Sequence, residues 1–196
     1  MGRPDLSETR RNEILDALER CVAREGLAGA SLDRIAEEAG VKRQIIRHYL
    51  GNRDDVMRAF GHRLVARMHG DVEVMIAALP SEGRVGALLD MLFSTGSNSA
   101  DSAASILLFE ALIAAADREP ELRDLVVGYV KSLTDAVASE LATAHPGRER
   151  QEVWSTAYAV VALCFNHASM RPLNLPRRYG QSERDAARRL INTLDG

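Results

Sequence analysis

The sequence predicts an all-α protein, in which a three-helix helix-turn-helix domain precedes a larger helical domain, with about nine helices in total. Two observations support this prediction. Apolar residues recur at spacings of three and four along nearly all 196 residues, and no useful length alternates apolar with polar residues as a strand would. In residues 31–55, two short helical patterns meet at a glycine, which is typical of a helix-turn-helix.

The first helix is predicted from Ser7 to about Glu25, because its apolar residues share one face and Gly26 follows them. The Ser7 hydroxyl is suited to accept a hydrogen bond from a free N–H of the first turn. The apolar stripe consists of Ile14, Leu18, Cys21 and Val22.

The helix-turn-helix begins at Ser31, a predicted N-cap, and its first helix ends before Gly40, where a left-handed residue costs least. A second apolar pattern starts at Val41. No acidic residue lies between Val41 and Arg53, so the second helix and its exit are cationic. We therefore expect this helix to enter a DNA groove. The two apolar patterns are Leu32, Ile35, Ala36 and Ala39, then Val41, Ile46, Tyr49 and Leu50.

Asn52 is predicted to cap a long fourth helix, with Asp55 at the third position of a capping box. A helix from Asp54 to Leu79 is roughly 39 Å long, which suits a mechanical link between two sites. A basic loop is predicted from Pro172 to Gly180. The remaining predicted helices are Arg84–Ser94, Ala100–Arg118, Glu121 to about Ala144, Arg148 to about Met170, and one capped by Ser182.

Residues 8–57 resemble the DNA-binding domain of the TetR family of bacterial transcriptional regulators. The resemblance covers about the first third of the chain and ends in RHYLGNRDD, where the family has an aromatic-rich turn, a small polar residue, a Lys and acids. It implies a DNA-binding domain over residues 1–53 and a ligand-binding and dimerisation domain over residues 54–196. The residues that carry it are Ser31, Ile35, Ala36, Ala39, Gly40, Val41, His48, Tyr49, Leu50, Asn52, Arg53 and Asp54.

The helix-turn-helix geometry assigns roles to the cationic helix. Arg matches guanine O6 and N7, and Gln matches adenine N6 and N7, so we expect Arg43, Gln44 and Arg47 to contact bases. Ser31 and the helix N-termini are expected to add donors to phosphates. The other phosphate candidates are Lys42, His48, Tyr49 and Arg53.

Two positions depart from the family pattern, so the operator cannot be taken from a relative. Arg47 stands where an aromatic residue is usual, and Ile45 stands where Thr or Ser is usual. Near the N-terminus, Gly2, Arg3 and Pro4 resemble an element that some proteins place in the minor groove of A·T-rich DNA. A disordered start of the chain is the alternative interpretation.

The resemblance implies a two-fold dimer through the two C-terminal helices and release of DNA when a small molecule occupies the C-terminal domain. We expect the lining residues in the middle helices, although Met and aromatic stripes are more often plain core. Glu110 has apolar helical neighbours, so its face is expected to be buried, where it could meet a cationic ligand, an Arg or solvent. The predicted lining residues are Met68, Met75, Phe93, Phe109, Glu110, Tyr129, Trp154 and Tyr158.

Charge and composition exclude several classes. Residues 1–53 hold ten Lys/Arg against nine Asp/Glu, and residues 54–196 hold fifteen against nineteen, so the basic excess is local. Cys21 and Cys164 are interpreted as reduced core thiols, with a redox switch as the alternative. The start of the chain is polar, and the longest apolar run, residues 158–165, is too short to span a membrane, so we expect a cytoplasmic protein that binds no membrane.

The sequence therefore predicts a ligand-responsive repressor, without cofactor or metal, that binds a palindromic operator as a homodimer and is released by a small hydrophobic or amphipathic effector. An enzyme is not expected, since the chain has no phosphate loop, serine elbow or Cys/His metal spacing. The alternative is a helical interaction adaptor with a degenerate DNA-binding domain and no effector. Salt dependence separates the two, because about six phosphate contacts give a log–log slope near −5.

Overall fold

The computed structural model describes residues 6–93 and 100–195, and this part of the chain is helical nearly throughout. Within it lie nine α-helices, one short 3-10 turn at Arg171–Leu173 and no strand, which confirms the predicted all-α class. The helices are α1 Leu6–Gly29, α2 Leu32–Glu38, α3 Arg43–Leu50, α4 Arg53–Ala77, α5 Arg84–Leu92, α6 Ala100–Ala116, α7 Pro120–Ala144, α8 Arg150–Met170 and α9 Arg178–Asn192.

The described residues pack into two compact units. The first consists of the residues up to Ala66 together with Leu107–Val126, and the second of the residues from Arg67 to Ile106 and from Val127 onward. Helices α4, α6 and α7 therefore contribute to both units. The functional boundary expected after residue 53 stays a prediction, since these units are defined by packing alone.

The core of the first unit joins the helix-turn-helix to parts of three later helices. Ile14 of α1, Ile35 of α2 and Ile46 of α3 are all at most 1% exposed. A Cβ added at Gly61 of α4 would lie 2.6 Å from Cδ2 of Leu122, so α4 and α7 approach closely at this glycine. A module of about fifty residues is small for independent stability, and these contacts complete its core. The other large buried residues include Leu18, Phe60, Leu64 and Leu112.

The turns of this unit follow the predicted local chemistry. The Ser31 hydroxyl accepts a hydrogen bond from the backbone N–H of Arg34 at 3.2 Å, and Gly40 adopts a left-handed φ of 65°. Oδ1 of Asn52 accepts from the N–H groups of Asp54 and Asp55 at 2.8 and 3.0 Å, while Asp55 Oδ2 accepts from the N–H of Asn52 at 2.8 Å. The predicted capping box is thus confirmed.

The second unit is built around α8 and α9, with a bidentate ion pair between Arg84 of α5 and Glu140 of α7 at 2.7 and 2.8 Å. The start of α9 predicted at Ser182 is wrong, because the helix begins at Arg178. Its first turn is already closed by the carbonyl of Pro176, which accepts from the N–H of Tyr179 at 2.9 Å. The shared core consists of Val153, Ala157, Val160, Val161, Ala187, Ile191 and Leu194.

Two predicted features fall outside the described residues: Ser94, the expected end of the fifth helix, and the Gly2-Arg3-Pro4 element. Within the described part of the chain, no helix combines the length and the apolar content that crossing a membrane requires. The two cysteines are free thiols; Cys21 is buried and Cys164 is partly so.

Candidate nucleic-acid interface

Helix α3 presents one face to the core and the other to solvent. Ile46 is 0% exposed and Leu50 is 6% exposed, so both anchor the helix in the first unit. The predicted DNA-contacting side chains of α3 lie on the opposite face. The exposed residues there are Lys42, Arg43, Gln44, Arg47 and His48.

The N-terminus of α3 leaves its backbone donors available. Lys42 occupies the N-cap position with extended backbone angles, and no side chain caps the first turn. The free N–H groups and the helix dipole together favour an anion at this end. The Lys42 side chain adds a positive charge at the same place, so this end of α3 suits a phosphate.

Within the described residues, Arg43 is the one base-contact candidate that has an acidic partner. Its Nη1 lies 3.0 Å from Oδ2 of Asp33 in α2. The Arg43 side chain is 50% exposed and the Asp33 side chain is 69% exposed. The sequence did not indicate this pair, because the two residues are ten positions apart. Arg43 must exchange Asp33 for a base or a phosphate if it is to contact DNA.

Some of the residues predicted to contact phosphate, Arg53, His48 and Tyr49 among them, have local contacts. Arg53 donates to the carbonyl oxygen of Leu27 at 3.0 Å, and Arg11 donates to the carbonyl oxygen of Tyr49. The rings of His48 and Tyr49 meet edge to face with centroids 4.9 Å apart. Ser31 is exposed, and its hydroxyl proton is not used by the cap that its oxygen makes.

The arginines on the other side of the module are neutralised by ion pairs. Glu38 accepts from Arg20 and from Arg24, each at 2.6 Å, and these hydrogen bonds lower the pKa of the Glu38 carboxyl to about 2. Arg34 pairs with Glu25 at 2.7 Å and with Glu37 at 2.8 Å. The positive potential of the module is therefore left to the α3 side.

Arg3, the predicted minor-groove residue, lies outside the described residues, as do Gly2 and Pro4.

The predicted effector-binding residues do not form one set. Phe109 and Glu110 lie in the first unit, and the others lie in the second. Phe93 and Tyr129 are 5% and 7% exposed, whereas Trp154 and Tyr158 stack in parallel on the surface with centroids 5.7 Å apart. Trp154 also donates to Asp135 at 3.2 Å. Met68 and Met75 are partly buried.

The expectation that Glu110 lies on a buried face is wrong. Glu110 is partly exposed, and its helical neighbours Leu107 and Ile113 are 37% and 49% exposed. The buried side of α6 instead carries Leu108 and Leu112, which lie one helical turn apart. Because nearly every residue of this helix is apolar, its sequence could not indicate which side faces the core.

A polar contact joins α8 to α9, and the sequence indicated only the α8 side of it. Asn166 Nδ2 and His167 Nδ1 of α8 both contact the carboxylate of Glu183 in α9, at 2.6 and 2.7 Å. Asn166 and His167 interrupt an apolar run, which was the signal available in the sequence. That run does not identify Glu183, sixteen positions after His167, as the partner. Among the described residues, no group of three His, Cys, Asp or Glu side chains could hold a metal ion.

The outer surfaces of α8 and α9 carry an apolar groove. It has a volume of about 640 Å³, and Leu190, which is 36% exposed, lies in its wall. A dimer through the two C-terminal helices would place the apolar residues Leu190, Ile191 and Leu194 at the subunit seam, but Ile191 and Leu194 are 5% and 2% exposed and belong to the protomer core. The groove is lined by Ala159, Ala162, Leu163, Ala186, Arg189, Leu190 and Thr193.

Comparisons with known proteins agree with this fold. The family model described as "Bacterial regulatory proteins, tetR family" matches residues 14–60. The HTH-type transcriptional repressor AcnR of Corynebacterium diphtheriae is 30% identical over 145 residues, which cover 74% of this chain and 70% of the relative. The HTH-type transcriptional regulator BetI of Rhizobium meliloti is 26% identical over 172 residues, which cover 87% of this chain and 83% of the relative.

Solved structures share the fold along nearly the whole chain. A transcriptional regulator from Rhodococcus sp. Rha1 superposes with a TM-score of 0.77 at 17% identity, covering 93% of this chain and 96% of that one. The multidrug binding protein EbrR, solved in complex with imidazole, superposes with a TM-score of 0.67 at 22% identity, covering 96% of each chain.

Proposed function

Because this chain belongs to the TetR family of bacterial transcriptional regulators, we propose that it is a repressor that binds a palindromic operator as a homodimer and is released by a small hydrophobic or amphipathic effector. Its relatives are transcriptional regulators rather than enzymes. The repressor activity proposed here follows AcnR, which is named as a repressor.

Operator binding rests chiefly on the exposed face of α3. Lys42, Gln44 and Arg47 point away from the core on a helix whose buried side is fixed by Ile46 and Leu50. A helix-turn-helix places the first turns of such a helix at the base edges of the major groove. We assign Gln44 and Arg47 to bases, and Lys42 with the free N-terminus of α3 to phosphate.

The effector would be bound by the helical body. Its interior in the second unit is rich in rings: Tyr129 contacts His69 at 5.4 Å and Phe165 at 6.4 Å between centroids. Sites for small molecules are mostly apolar and aromatic, with a few placed polar groups. EbrR, which has the same fold, is a multidrug binding protein.

The decisive experiment is selection of bound DNA from a random pool, followed by fluorescence anisotropy of the selected duplex over a range of salt concentrations. We expect a palindrome, because a two-fold dimer presents α3 twice about one helical turn apart. We also expect log affinity to fall with log salt at a slope near −5. Absence of any selected sequence and of any salt slope would favour the interaction adaptor instead.

The proposed dimer interface is the apolar groove formed by α8 and α9. An exposed apolar groove lined by small residues allows two helices of a partner to pack closely against it. Substitution of Leu190→Glu places a charge in this groove and should convert the dimer to a monomer in size-exclusion chromatography with light scattering. Leu173→Glu is the matched control, since Leu173 is 64% exposed and lies outside the groove. Dimers that survive Leu190→Glu but not Leu173→Glu would place the seam elsewhere.

A further inference from the structure

One buried nitrogen of His167 has no hydrogen-bond partner among the residues that the structure describes. The His167 residue is 8% exposed, and its Nδ1 lies 2.7 Å from Oε2 of Glu183. Its Nε2 is buried, and no partner for it exists in the described part of the chain. A buried polar atom without a partner costs free energy, and such atoms in folded proteins commonly mark a place for a water or a ligand.

The ring that carries this nitrogen is held from three sides. Glu183 is itself fixed by a second hydrogen bond, from Nδ2 of Asn166 at 2.6 Å. A Cβ added at Gly180 would lie 2.7 Å from Cε1 of His167, so α9 packs directly against the ring edge. The ring of Phe93 lies 5.7 Å away between centroids. Nε2 is therefore held in a defined position before any ligand arrives.

The surrounding chemistry specifies what this nitrogen can bind. A carboxylate only accepts hydrogen bonds, so Nδ1 of His167 carries a proton, which leaves Nε2 as the ring nitrogen that can present a lone pair. The neighbouring Cys164 thiol donates to the carbonyl of Leu92 at 3.4 Å, and burial raises its pKa to about 11, so it stays uncharged. With Phe93 alongside, the position suits an uncharged aromatic group that carries a hydrogen-bond donor.

We propose that His167 Nε2 is the polar contact of the effector, and that it accepts a hydrogen bond from a phenolic hydroxyl whose ring packs against Phe93. The inference rests on the proposed function, since it names the chemical class of the effector that releases the operator. The carboxylate of Glu183 makes Nε2 a stronger acceptor by holding the opposite proton. A phenol offers both a hydrogen-bond donor to Nε2 and a ring to pack against Phe93, whereas a hydrocarbon of the same shape offers only the ring.

Phenol and toluene are the matched probes, because they differ in shape by little and in donor capacity entirely. We expect phenol to shift the ¹⁵N resonance of His167 Nε2 in ¹⁵N-histidine-labelled dimer, and toluene at the same concentration to leave it unchanged. His145 provides the internal control, since its Nδ1 also pairs with a carboxylate, that of Asp195 at 3.2 Å. Equal responses to both probes, or a response of His145 but not of His167, would refute the assignment.

Substitution tests the same contact through affinity. His167→Phe should weaken phenol binding at least about tenfold, to the level of toluene, because the acceptor is lost while the ring remains. Circular dichroism checks that the variant folds; if it does not, the labelled wild-type protein decides. The palindrome selection separates the two proposals. If the protein selects an operator but phenol neither binds at His167 nor releases that operator, the effector assignment fails and operator binding stands.

Discussion

The arginines of α1 and α2 differ in use from the cations of α3, although both sets lie within one small module. Arg20, Arg24 and Arg34 each face a carboxylate at 2.6–2.7 Å. Lys42 and Arg47 extend from the exposed side of α3, where the sequence contains no acid. The first set holds helices together, and the second is available to another molecule.

This difference shows why net charge is a poor guide to the function of this protein. Residues 1–53 hold nearly equal numbers of bases and acids, yet the acids are collected on the α1–α2 side. Ion pairs cancel most of the charge there, so the α3 side is left positive. Arg43 lies between the two sets, since it is exposed on α3 but pairs with Asp33 of α2.

The largest effect should come from the residue that fixes which face of α3 is exposed. Ile46→Ala removes a side chain that is 0% exposed, and should lower the free energy of unfolding by about 2–5 kcal/mol in urea denaturation. Operator binding should fall with it. Ile45→Ala is the matched control, since Ile45 is 36% exposed and its truncation should leave stability nearly unchanged. A larger loss of stability for Ile45→Ala than for Ile46→Ala would mean that α3 turns a different face to the core.

Arg47→Ala should separate binding from stability. Loss of a bidentate base contact should weaken operator affinity by about 1–3 kcal/mol in fluorescence anisotropy and relax the preference at one base pair. The melting temperature should not change. The comparison variant is Arg34→Ala, which removes two ion pairs on α2 and should reduce stability while leaving base preference intact. If Arg47→Ala lowered stability and Arg34→Ala changed the base preference, the distinction between cations that hold helices together and cations that bind DNA would be wrong.

A smaller effect is expected at the exit from α3. Asn52→Ala removes the side-chain acceptor for two N–H groups of α4 and should cost about 1 kcal/mol of stability in chemical denaturation. Asn52→Ser should restore most of this loss, because Ser is also a good N-cap. Equal stability of the Ala and Ser variants would show that the cap does not stabilise the start of α4.

The smallest effect concerns acid stability. The pKa of Glu38 falls from its usual 4.5 to about 2 because Arg24 and Arg20 donate to it. A lowered folded-state pKa contributes stability that is present above pH 4.5 and is lost as the pH falls towards 2. Thermal melts of Glu38→Gln should therefore approach those of the wild-type protein as the pH falls through this range. Arg20→Ala/Arg24→Ala should show the same convergence, and a constant gap at all pH values would exclude Glu38 as its source.

The sequence predicted the side-chain directions in α8 less well than the turns of the helix-turn-helix. Trp154 and Tyr158 fall on an apolar helix, yet they are 38% and 49% exposed and stack on each other. His167 interrupts the same helix, and its partner Glu183 lies on the next helix. An all-round apolar helix leaves the direction of each side chain undefined until its neighbours are known.

By itself, the sequence determined the features that depend on residues close together along the chain. Ser31, Gly40 and the Asn52–Asp55 capping box fix their turns through hydrogen bonds and backbone angles within three or four residues. Tertiary structure alone decided which charges are cancelled and which apolar faces remain exposed. Those outcomes depend on partners brought from distant positions, as with Glu38 for Arg20 or Glu183 for His167, and spacing along one helix does not contain that information.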